Sequence, residues 1–197
     1  MGEIKSALEL ALERTSQIKS DPGAVRAYEA KNRGKRLFAA LREDPKLDLG
    51  KAIKSEPKDE RRWVQEGLFE VIDANLTLPS SERDLATVDL VVTGLSAVIN
   101  DRGTVKTLGD QIRQFFSQYL DDRKQLIEGL QKQYAPRLRE REQQMAKQYG
   151  RPVRIDPATD PEFGKALQDN LGRLQSSYAS AFVQVHEQLR GMFERSR

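Results

Sequence analysis

The only histidine of the chain, His186, follows Val185 near the apolar seam of the last amphipathic segment. A hydrolytic triad needs a nucleophile, a base and an orienting acid, and a lone helical histidine without them reads as a surface or seam residue. No cysteine is present, which removes a thiol nucleophile, a thiolate metal site and any disulfide framework. Acids are plentiful, so adjacent carboxylates carry little meaning. Asp121 and Asp122 point about 100° apart on a helix and read as a solvated face. Glu-x-x-His, which a dimetal helical bundle needs on two helices, does not occur, and neither Gly-x-Gly-x-x-Gly nor a Walker A loop is found. The expectation is therefore a protein that is not an enzyme, with no catalytic residue, cofactor or metal.

Two clusters remain. Asp89 sits among apolar neighbours, where desolvation would raise the pKa of a carboxyl unless a partner compensates. The first reading is a carboxylate that faces outward or pairs with an arginine, Arg83 and Arg102 flanking its helix as candidate partners, and the second is a functional acid. Lys31, Arg33, Lys35 and Arg36 place four cations in six residues, a pattern that binds phosphates by counterion release, and Arg61-Arg62-Trp63 adds an aromatic that could stack on a base. Lys31 and Lys35 share a helix face while Arg33 and Arg36 lie off it. Acids are interspersed elsewhere and the net charge is only +3, so nucleic-acid or phosphate binding is the second reading and a solvated basic face the first. Arg137, Arg139 and Arg141 alternate with acids and read as an ion-pair-laced surface.

The elements that must position these residues follow a period of three and four nearly throughout; the fold class is all-α. Ile4, Leu8, Ala11, Thr15 and Ile18 form a first stripe. Asp21-Pro22 starts a second helix running to about Leu41, Asp44-Pro45 punctuates, and Pro57 opens a helix with Trp63, Leu68, Phe69, Ile72 and Leu76. From Ser81 a strongly apolar helix is expected to form the buried centre of a bundle, ending at Gly103 with Thr104 as the next N-cap. Residues 104–149 then repeat Val105, Leu108, Ile112, Phe115 and Tyr119 on to Met145, with a kink or break expected near Pro136. Asp160-Pro161-Glu162 opens the last helix, whose seam is Phe163, Leu167, Leu171, Leu174, Tyr178, Phe182, Val185, Leu189 and Met192. The domain expectation is an N-terminal helical bundle over residues 1–103 and a long antiparallel, coiled-coil-like helical hairpin over 104–197.

No basic start followed by an apolar run is seen, and the most apolar window, Leu85 to Ile99, is too short to span a bilayer. Met1-Gly2 with Ser6 formally fits a myristoylation pattern, with Glu3 against it. A first helix with balanced charge offers no attraction to anionic lipid. The expectation is a soluble, cytoplasmic protein with no membrane partner.

Met1 to Ala7, Gly34-Lys35-Arg36-Leu37-Phe38, Asp44-Pro45-Lys46-Leu47-Asp48-Leu49, Trp63-Val64 and Asp160-Pro161-Glu162-Phe163 resemble a family of small bacterial proteins known only as a domain of unknown function. The resemblance runs almost end to end, implies a bacterial source and supplies no activity or site.

The functional expectation is an interaction protein that self-associates through helical seams, a homo-oligomer with a dimer favoured, or one that binds another helical protein. Its candidate partner contacts are Phe115, Phe116, Tyr119, Tyr178, Phe182 and Phe193, with the alternative that these side chains fill a wider intramolecular core. The second reading assigns phosphate contacts to Lys31, Arg33, Lys35 and Arg36.

Overall fold

Why the helices begin and end where they do is visible in their caps. The computed structural model describes residues 22–196; the first expected stripe, residues 4–18, and the myristoylation pattern lie outside them. Among the described residues there are six α-helices and no strand, so the protein is all-α. Helix α1 spans Pro22–Glu43. Helix α2 spans Leu49–Ser55 and is capped by Asp48, whose carboxylate accepts from the Lys51 amide. Helix α3 spans Arg61–Asn75. It starts one turn later than Pro57, because the Pro57 carbonyl accepts from the amides of Glu60 and Arg61 and closes a turn first.

A 3-10 turn, Glu82–Leu85, leads into α4, Ala86–Val98. Asp84 accepts from the amides of Ser80 at 2.8 Å and Ser81 at 2.9 Å. Helix α5, Arg102–Tyr149, is capped by Asp101, which accepts from the Thr104 amide at 3.0 Å. The expected break at Gly103 is therefore corrected: the carboxylate one turn back supplies the cap, and Gly103 sits in the first helical turn. The sole positive φ among the described residues belongs to Gly150 (φ 65°), which closes α5 in the left-handed conformation that favours glycine. Pro136 does not break α5. The helix continues through it on an exposed position. Asp160 caps α6, Pro161–Arg195, by accepting from the Phe163 amide at 2.9 Å, with Pro161 in the first turn where its missing donor costs nothing.

The chain divides into two compact units, Met1–Val71 and Ile72–Arg197. Helix α4, expected to centre the N-terminal bundle, belongs to the second unit. In the first unit, α1 and α3 meet backbone to backbone. A Cβ on Gly34 would collide with the Val64 carbonyl oxygen, and one on Gly67 with the Lys31 carbonyl oxygen, so this crossing needs hydrogen at both positions. Phe38, Leu41, Leu49, Ile53, Val64 and Leu68 are buried.

The second unit packs α4 on the first third of α5. A Cβ at Gly109 would strike a Val92 methyl, and Val88, Val91, Leu95, Leu108 and Ile112 are buried there. Burying a large apolar side chain contributes about 1.5–3 kcal/mol, so this cluster is one of the main sources of the unit's stability. Helix α6 runs antiparallel to α5. Phe116 meets Phe182 (ring centroids 5.2 Å apart), Tyr119 meets Tyr178 (5.0 Å) and Tyr134 meets Phe163 (5.5 Å), so residue numbers rise on one helix as they fall on the other.

Candidate functional site

The basic cluster on α1 is spent locally. Lys31 pairs with Glu66 at 3.4 Å and Glu70 at 3.0 Å, Lys35 with Glu70 at 3.0 Å, and Arg33 with Glu56 at 2.8 Å and also with Glu60. Arg26 adds Asp59 and Glu60, each at 2.7 Å. The Arg26 guanidinium, followed by that of Arg33, holds the Glu60 carboxyl below its ordinary range. Arg36 is exposed. Spacing along one helix could not reveal this, because the acids come from α3 and the turn before it. Arg61 likewise turns away from any ligand and donates to the carbonyls of Glu56, at 2.9 Å, and Lys54 at the end of α2. Trp63 is half-buried.

Asp89 faces outward and pairs with an arginine, as its first reading has it, but the arginine is neither of the two expected. Its side chain is 70% exposed and pairs with Arg113 of α5, three turns beyond the expected Arg102 on the same helix. It lies on the outward stripe of α4, while Val88 and Val91 face in.

The expected partner contacts converge inside the second unit. Phe115 stacks on Phe182 at 5.7 Å with planes 14° apart and meets Tyr178 at 5.0 Å. Phe116, Tyr119, Phe182 and Phe193 are buried, and Phe115 and Tyr178 half-buried. Of the two alternatives open in the sequence, these side chains fill the intramolecular one. The Tyr178 hydroxyl donates to Asp122 at 2.5 Å; burial first, and that bond second, push its pKa up to about 12.

His186 closes the same cluster. Its ring lies edge-on to Phe182, and Nδ1 is 2.5 Å from Oδ1 of Asp73. Arg190, one turn on, donates to Oδ2 of Asp73 from Nε and Nη2, at 3.2 and 2.9 Å. Asp73 is nearly buried, so it needs both donors. The histidine therefore ties the end of α3 to α6, a role no local pattern discloses. At the far end of the α5/α6 pair, Arg141 pairs with the buried Asp160, and Arg137 lies over the Tyr134 ring at 5.7 Å. An open cleft there is lined by Tyr134, Arg137, Gln144 and Glu162 among others. Among the described residues no three His, Cys, Asp or Glu side chains are grouped to hold a metal ion, and no helix is long and apolar enough to cross a membrane.

With the rings turned inward, α6 presents a different surface to solvent. Gln175, Ser176, Ser177, Ala179, Ser180, Ala181, Val183 and Gln184 are all exposed, Val183 to 53%. No Asp, Glu, Lys or Arg occurs between Arg173 and Glu187, in a chain that is 32% charged. The signal was present in the sequence as a gap in the charges rather than as a motif.

No curated protein and no solved structure matches the chain. One family model does, over residues 50–191, which takes in nearly all of α2 and continues through most of α6. The chain belongs to that family, the Family of unknown function (DUF6657).

Proposed function

We propose that the protein is a non-enzymatic interaction protein that self-associates through the outward face of α6. One observation carries this reading: the uncharged, exposed stretch between Arg173 and Glu187, with Val183 at its centre line. Depletion of charge is one of the marks of an interface core. Closed two-fold dimers are the commonest oligomers, so a second copy is the partner put forward. A cytoplasmic location and a bacterial source, both expected from the sequence, belong to the same proposal.

Light scattering coupled to size exclusion tests it. The wild-type chain is expected at twice its own mass, and Val183→Glu, which would bury two unpaired carboxylates at the dimer centre, at the monomer mass. A wild-type monomer at high concentration would sink the proposal.

Nucleic-acid or phosphate binding through Lys31, Arg33, Lys35 and Arg36 is a weaker proposal, since three of the four already have carboxylate partners. It requires nucleic acid that co-purifies and is released by salt.

A further inference from the structure

We infer that the two copies meet α6 against α6 in antiparallel register, about a two-fold axis passing between Ala179 and Ser180. This rests on the self-association proposed above and goes beyond it by naming orientation and register.

One exposed stripe of α6 is complementary in charge to itself when reversed. At 100° per residue, Lys165, Asp169, Gly172, Arg173, Ser176, Ala179, Ser180, Val183, Glu187, Arg190 and Glu194 fall on one side of α6, and every one of them is exposed. The stripe is charged at both ends and uncharged between. Turning a second copy about the point between Ala179 and Ser180 sets Lys165 opposite the second copy's Glu194 and Asp169 opposite its Arg190, while Glu187 falls opposite its Gly172, one residue from Arg173. Both charged pairs join opposite signs, Glu187 lies beside an opposite charge, and symmetry makes each of these contacts twice. Arg190 uses Nε and Nη2 on Asp73, yet its side chain remains 64% exposed and keeps Nη1 donors for the second copy.

The uncharged centre fits the same register. Val183 of one copy falls opposite Ser176 of the other, a larger side chain over a small one, and Ala179 opposite Ser180. A parallel arrangement in register would instead oppose Arg173 to Arg173, Asp169 to Asp169 and Glu187 to Glu187, and like charges set against each other disfavour it.

The chain has no cysteine, so introduced thiols report without background. Ser176→Cys and Val183→Cys proteins, mixed and mildly oxidised, are expected to give a covalent dimer, while neither does so alone, because each thiol lies about 10 Å along the helix from its own symmetry mate. Lys165→Glu is expected to weaken the dimer roughly tenfold by reversing two symmetry-related pairs, and Lys165→Glu with Glu194→Lys to restore it. Self-linking of Ser176→Cys, or no rescue by the double charge swap, overturns the register while a dimer by light scattering leaves self-association standing. A wild-type monomer overturns both.

Discussion

Helices α1 and α3 touch through bare backbone at Gly34 and Gly67, flanked by ion pairs; α5 and α6 stand apart on aromatic rings. The first arrangement tolerates no added atom at its crossing and draws its outer ring of contacts from partly buried ion pairs. The second spreads its stability over large apolar surfaces that give way gradually. One scaffold is set by closeness, the other by bulk.

Adding a single methyl group should have the largest effect. Gly67→Ala should destabilise the first unit by about 3 kcal/mol, because the intruding atom meets a main-chain carbonyl that cannot swing aside; urea unfolding would measure it, and a loss under 1 kcal/mol would mean the helices are not in backbone contact. Asp73→Ala, which strands His186 and Arg190, should cost about 2 kcal/mol, read as an earlier thermal midpoint. Tyr178→Phe should cost about 1 kcal/mol by leaving Asp122 without its hydroxyl donor. Because the folded-state pKa of Tyr178 is raised to about 12, its contribution is complete below the ordinary phenol range near pH 10 and lost as pH climbs toward 12. Ultraviolet titration should show one tyrosine ionising late.

The same glycine substitution should change sign in the second region. A Cβ at Gly129, inside α5, meets nothing within 4 Å, so Gly129→Ala should stabilise by about 0.5–1 kcal/mol through helix propensity alone. The smallest effect concerns acid. Glu60 has its folded-state pKa depressed by Arg26 and Arg33, so the stability it contributes is present above the ordinary carboxylate range and disappears as pH falls through the depressed value. Glu60→Gln should flatten the acid limb of the first unit's pH profile, whereas Tyr178→Phe should leave that limb unchanged.

What could be read in the residues alone follows the range of the forces involved. Local signals were sound: Asp160-Pro161, Gly150 and the three-four period mark caps, an end and a fold class without reference to anything distant. Competing local signals were not separable, which is why Asp101 displaced Thr104 as the cap of α5. Pairings across the chain were opaque. Asp73 and His186 are 113 residues apart, and nothing in either neighbourhood points to the other. The basic run on α1 looked available because its carboxylate partners lie 23 to 39 residues away. The aromatic residues stand out in the sequence as candidate partner contacts, but whether rings face inward or outward depends on which helix lies opposite, and a single sequence does not say.

The α5/α6 pair is anchored at both ends and thin between. Phe116, Tyr119 and Phe182 are buried at one end and Leu138, Asp160 and Phe163 at the other, whereas no residue from Leu120 to Arg137 or from Gly164 to Ala181 is fully buried. Such a rod does not fray from its tip. Transient openings should start as a bubble in the waist around Leu130 and Leu167, exchanging amide protons there faster than on either side, so that the pair can flex at mid-length while both of its clasps stay shut.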